Sequence, residues 1–139
     1  MEEPDTLEAA IPLGIRGLFT DDGVMRMDCV FCRIVAGDLP SDRVFESDSV
    51  IAFRDLDPKA PVHLLVIPKQ HVNSLDALDE TDPELAHALL QACRTVADEE
   101  GLAERGYRVV TNVGDEGGQS VGHLHFHVLG GRAMGWPPG

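Results

Sequence analysis

The chain has 139 residues, about one domain, and 43% of them are apolar, so a folded core is expected rather than a disordered chain. Eleven Lys and Arg against 24 Asp and Glu leave a net charge of −13, which excludes a basic face for a nucleic acid polymer. No apolar run is long enough to cross a membrane. Three cysteines are too few for a disulfide framework, so a reducing, cytoplasmic setting is expected.

Residues 1–24 hold six acids and one base, so −5 of the −13 lies there, and Pro4, Pro12, Gly14, Gly17 and Gly23 break any regular pattern. They read as an N-terminal extension, flexible or loosely docked, ahead of a domain over 25–139. Cys29–Ala36 reads as a short helix stopped by Gly37. Arg43–Glu46 and Val50–Phe53 read as strands joined by a turn at Ser47–Asp48, and Val62–Ile67 as a strand ended by Pro68. Asp82 can cap a long helix that has Pro83 at its first position, with Leu85, Leu89, Ala92, Cys93 and Val96 as its apolar stripe and Gly101 as its stop. Tyr107–Val113 and His123–Leu129 read as two further strands around a glycine-rich loop. The pattern predicts an α+β domain, an antiparallel sheet with its helices on one face.

On the last strand, Leu124, Phe126 and Val128 alternate with His123, His125 and His127. The histidines therefore share a face, with Cα atoms about 6.6 Å apart from the strand rise. A single histidine on a strand is usually structural. Three in a row on an open sheet face do little packing and point to chemistry. Two readings compete: ligation of one metal ion, or attack on phosphorus by a neutral imidazole that titrates near pH 7. The preceding Asn112–Ser120 contains Gly114, Gly117 and Gly118, so its backbone amides can approach a phosphate closely, although an ordinary glycine hairpin has the same composition. Cys29-Val30-Phe31-Cys32 is a lone C-x-x-C. With His71 and one triad histidine it could hold zinc; a redox dithiol and two buried thiols are the rival readings. His63 opens a strand and could orient a neighbour. Trp136 sits in a tail too short to build a core and must bury on its own domain or on a partner subunit.

Taken together, His123-x-His125-x-His127-Val128-Leu129, Gly117-Gly118-Gln119-Ser120-Val121, Ala52-Phe53-x-Asp55, Pro61-x-His63, Ile67-Pro68-Lys69-x-His71 and the ending Trp136-Pro137-Pro138-Gly139 resemble the Hint branch of the histidine triad (HIT) superfamily, over roughly residues 28–139. The resemblance implies a HIT-like fold, a sheet of about five antiparallel strands with two helices, continued across a homodimer. It implies a hydrolase acting on P–N bonds of purine nucleoside phosphoramidates and releasing AMP or GMP. By the resemblance His125 attacks the α-phosphorus, His127 contacts phosphate oxygens, His63 orients the nucleophile and Ser120 stands near the leaving amine. Asn112, Gly118 and Gln119 match further phosphate and leaving-group contacts, Asp55 a ribose contact, and Phe31, Ile34, Phe53 and Leu56 the walls of the base pocket. Trp136 would approach the partner's site. In many bacterial relatives a structural zinc is held at the positions of Cys29, Cys32, His71 and His123, which leaves His125 and His127 for chemistry that needs no cofactor. The alternatives are a dinucleoside polyphosphate hydrolase like the Fhit branch, which the Gly-Gly-Gln-Ser loop and the tail oppose, and a nucleotide-binding scaffold with vestigial catalysis.

Overall fold

A computed structural model describes residues 28–139, so the expected extension over 1–24 lies outside the described residues. The short helix α1 spans Val30–Val35. Cys29 caps it, its sulfur accepting from the Cys32 N–H at 3.4 Å, and Gly37 ends it in the left-handed region, where a side chain is disfavoured. Strands β1 (Arg43–Glu46), β2 (Val50–Arg54) and β3 (Val62–Pro68) follow. Helix α2 (Pro83–Glu99) begins as the sequence predicts, with Asp82 accepting from the Leu85 N–H and Pro83 in the first turn. Strands β4 (Arg108–Val110) and β5 (Phe126–Gly130) complete a five-stranded antiparallel sheet in the order β1-β2-β3-β5-β4. Among the described residues no helix is long and apolar enough to cross a membrane.

The helices lie on opposite faces of this sheet, not on one. Val50, Ala52, Leu64, Val66, Phe126 and Val128 pack with Leu85, Leu89, Ala92, Cys93 and Val96 of α2. Ile51, Phe53, Leu65 and Ile67, which point the other way, pack with Phe31, Ile34 and Val35 of α1. The physical reason is visible in β2 and β3: Val50–Phe53 and Leu64–Ile67 are continuous apolar runs, so both their faces must be covered. Register then places the histidines. Leu65 lies opposite His127 and His63 opposite Leu129, so His63 and His127 share the α1 face.

Two strands are shorter than the sequence predicts. β4 stops at Val110 and β5 starts only at Phe126. Local bonds compete with the ladder here: Leu124 N–H donates to the Val72 carbonyl at 2.6 Å, and Thr111 Oγ1 donates to the His125 carbonyl at 2.7 Å. Backbone polar groups are satisfied without regular pairing, and the alternation of Leu124, Phe126 and Val128 into the core survives.

Candidate active site and metal centre

Beneath α1 a cavity of about 280 Å³ opens on the sheet. Phe31, Ile34, Phe53 and Leu65 form its apolar walls, and Asp55, Ser120, His125 and His127 lie along its polar side. Leu56 also lines it, but at 93% exposure it is a rim residue rather than a buried wall. Val30 and Leu65 belong to the lining and were not expected. Leu65 could have been found from β3 alternation, since it shares a face with His63.

His125 is buried, and its Nδ1 donates to its neighbour's backbone carbonyl, His123 O, at 2.7 Å. This bond puts the ring proton on Nδ1 and leaves Nε2 as a bare base. His127 is wired the opposite way. The Lys59 N–H donates to His63 Nδ1 at 3.0 Å, so the His63 proton sits on Nε2 and is donated to His127 Nδ1, 2.9 Å away. The remaining His127 proton is then on Nε2, making that nitrogen a donor. Burial pushes His63 below its ordinary value. Burial, followed by repulsion from His125 and His63, pushes His127 down to about 4, so both rings are neutral at pH 7.

His63 bonds His127, not the nucleophile, and His125 is held by a backbone carbonyl. Asn112, Gly118 and Gln119 lie outside the cavity lining. Their groups brace the loop: Asn112 Nδ2 donates to the Gly117 carbonyl, Gly118 N–H to Asp115 O and Gln119 N–H to Gly114 O. The Gln119 side chain donates to the carbonyls of Asn73 and Val121 and accepts from Gly114 N–H. Glycine is required at 117, where a Cβ would collide with the Val113 carbonyl. Of the expected loop contacts, only Ser120 faces the cavity. Trp136 lies away from it, 82% exposed, with the Arg108 guanidinium 6.0 Å from its ring centre.

A second cluster gathers Cys29, Cys32, His71 and His123, with one ligand atom from each within 4.8 Å of the others. Cys29 Sγ lies 3.3 Å from His123 Nδ1, Cys32 Sγ 3.2 Å from His71 Nδ1 and 3.6 Å from His123 Nδ1. Both rings are turned by their far nitrogens: His123 Nε2 donates to the Pro68 carbonyl and His71 Nε2 to Asn73 Oδ1, each at 2.9 Å. Both Nδ1 lone pairs therefore point inward, which is the donor set a metal ion needs. A hydrogen bond with the Cys32 side chain, and then one with His123, outweigh burial and hold the Cys29 thiol at about 3, where it is a thiolate. Asp55, His63 and His127 also converge. Metal binding there would need His63 Nε2 bare, and the Lys59 N–H at Nδ1 forbids that tautomer. Cys93, pushed up to about 11 by burial, is an inert core thiol.

The HIT domain family matches residues 36–134. The chain belongs to the HIT family. It is 46% identical over 112 residues to the adenylylsulfatase HINT1 of Arabidopsis thaliana, covering 79% of this chain and 76% of that protein. It is 47% identical over 112 residues to a 14 kDa zinc-binding protein of Zea mays, covering 79% of this chain and 87% of the relative. The crystal structure of a HIT family hydrolase from Legionella pneumophila Philadelphia 1 superposes with a TM-score of 0.78 at 49% identity, over 80% of this chain and 99% of the other. A HIT family hydrolase is thus the class to which fold and sequence assign the protein.

Proposed function

We propose that this hydrolase is a purine nucleoside phosphoramidase working through a nucleotidyl-histidine on His125. The observation that carries the reading is the Nδ1–H bond from His125 to the His123 carbonyl, which turns Nε2 to the cavity as the nucleophile, with His127 Nε2–H and the Ser120 hydroxyl along the same lining. The base would enter between Phe31, Ile34 and Phe53, with Leu56 at the rim and Asp55 turned to the ribose hydroxyls. Nε2 attacks the α-phosphorus while His127 Nε2–H stabilises charge on a phosphoryl oxygen. As the P–N bond breaks, Ser120 gives the leaving nitrogen a proton. Water then attacks phosphorus and returns a proton to Ser120 as the P–Nε2 bond breaks, so one water is consumed and the nucleoside monophosphate leaves.

The second cluster fits structural zinc. With Zn–S near 2.3 Å and Zn–N about 2.0–2.1 Å, tetrahedral S···N edges are about 3.6 Å. The sulfur to Nδ1 distances of 3.2 to 3.6 Å lie close to that. Zinc there would tie α1 to β3 and to the start of the triad without touching His125 Nε2. Thiolate ligands suit a reducing cytoplasm. The unpaired edge of β4 with half-exposed Val109, and the bare Trp136, support a homodimer that continues the sheet and brings the tail to the partner's site.

The test is single-turnover chemistry. Adenosine 5′-phosphoramidate should yield AMP, and acid-labile label from the nucleotide should be trapped on His125. Wild-type protein inert toward every nucleoside phosphoramidate, or turning over without a trappable adduct, sinks the reading. Cleavage of diadenosine tri- or tetraphosphate in preference to phosphoramidates would replace it with the dinucleoside polyphosphate reading. AMP binding without turnover would favour a scaffold.

A further inference from the structure

His123 of the cluster follows Ser120 by three residues, so chain continuity already joins the cluster to one end of the loop; a second link runs from His71 through Asn73. Asn73 Oδ1 accepts from His71 Nε2 at 2.9 Å. Its backbone carbonyl accepts from Gln119 Nε2 at 2.7 Å. Gln119 in turn holds the loop from within, through the Val121 carbonyl and the Gly114 N–H. The path from a metal-ligating ring to the hydroxyl beside the leaving group is therefore three hydrogen-bonded residues long, and it bypasses the sheet.

We propose that Asn73 is a positioning residue that couples occupancy of the Cys29–Cys32–His71–His123 site to the order of the 113–121 loop. The proposal rests on the zinc reading above. A bound ion fixes the His71 ring, the ring fixes the Asn73 side chain, and Asn73 sets where its own carbonyl meets Gln119. Without the ion, His71 Nδ1 keeps only its contact with Cys32 Sγ at 3.2 Å, and the link slackens. Other loop contacts, such as Asn112 with Gly117, are internal to the loop and transmit nothing from the metal site. The base pocket is held differently, through Phe31 on α1 and its edge-on contacts with Phe53 and His125 at 5.7 and 5.2 Å. Disturbing Asn73 should therefore act on the leaving-group side and spare nucleotide affinity.

Hydrogen exchange on the full chain reads this directly, with and without zinc. In the wild type, stripping zinc should speed exchange in 113–121. In zinc-saturated Asn73→Ala, that segment should exchange as fast as in stripped wild type, while amides of 30–36 keep their zinc-dependent protection. Asn73→Asp, which retains the acceptor oxygen, should restore the loop. Zinc affinity should fall about 10-fold in Asn73→Ala, in the range of lost outer-shell partners. For adenosine phosphoramidate kcat should fall several-fold, while the AMP dissociation constant stays within about twofold. Gln119→Leu cuts the link from the loop end and should lose loop protection while still taking up zinc. Loop exchange indifferent to zinc in wild type, or equally zinc-responsive in Asn73→Ala, overturns the coupling alone. Elemental analysis showing that the wild type takes up no zinc overturns both the coupling and the zinc reading.

Discussion

The Cys–His cluster and the histidines beside the cavity use the same side chain, wired in opposite senses. In the first, His71 and His123 bond outward through Nε2, to Asn73 Oδ1 and the Pro68 carbonyl, and turn Nδ1 inward to two sulfurs. In the second, His125 bonds through Nδ1 to a carbonyl and exposes Nε2. The partner of the far nitrogen decides whether an imidazole is a ligand, a nucleophile or a donor. His123 joins the two regions, because its ring serves the metal cluster while its carbonyl sets the tautomer of His125.

The largest effect should come from cutting each region separately. His125→Ala should lower phosphoramidase turnover by on the order of 10⁴-fold or more, as loss of a nucleophile does, with about one zinc per chain retained and melting little changed. Cys32→Ser should do the reverse: zinc is lost, α1 loses its clamp, and Tm falls by about 10 °C or more, as loss of a structural metal implies. Paired measurements of zinc content, Tm and kcat on both variants check this. A His125→Ala protein that sheds its zinc would show that the two regions are not independent.

A smaller, sharper effect concerns Ser120, the loop hydroxyl lining the cavity. An amine must be protonated as it leaves phosphorus, whereas sulfate leaves as a stable anion. Ser120→Ala should therefore slow P–N cleavage about 10²-fold, the scale of one general acid; with adenylylsulfate, the substrate in the name of the Arabidopsis thaliana relative, any cleavage by the wild type should slow by less than about 10-fold. Comparing kcat for the two substrates on wild type and variant measures the ratio. Equal losses would make Ser120 a phosphate-oxygen donor instead.

Much of this arrangement was legible before the fold. The alternation of Leu124, Phe126 and Val128 against three histidines predicts an apolar row and a histidine row on opposite faces; the apolar row packs in the core with α2, while His123 and His125 lie buried against Phe31 of α1 rather than on an open face. Asp82-Pro83 announced the start of α2. What stayed hidden depends on long-range partners. That His63 would reach His127 rather than His125 follows from β3–β5 register and from the Lys59 amide, neither of which has a local sequence mark. Gln119 was expected at the ligand only through the family resemblance, and its bonds to the Asn73 and Val121 carbonyls have no local sequence mark. Asn73 carries no signal except standing two residues beyond His71.

The smallest expected effect concerns acid stability, and the comparison between regions makes it measurable. Burial holds His127 at about 4 against an ordinary value near 6.5. Above pH 6.5 the ring is neutral folded or unfolded and contributes no slope. Between 6.5 and about 4 the unfolded chain binds a proton that the folded chain refuses, so stability must fall as the pH falls through that window. His63, lowered in the same direction by burial, adds to it. The metal cluster also loses its hold in acid as its ligands protonate, but wild type and His127→Gln share that loss. Denaturation midpoints of the two proteins from pH 7 to 4.5 should therefore diverge in slope, with the variant flatter. The ceiling for one proton is about 1.4 kcal/mol per pH unit, and solvent reaching the half-buried ring brings the difference below it. Parallel slopes would mean that the His63–His127 pair takes up its proton in the folded protein, and with it the neutral donor assigned to His127 Nε2 would be lost.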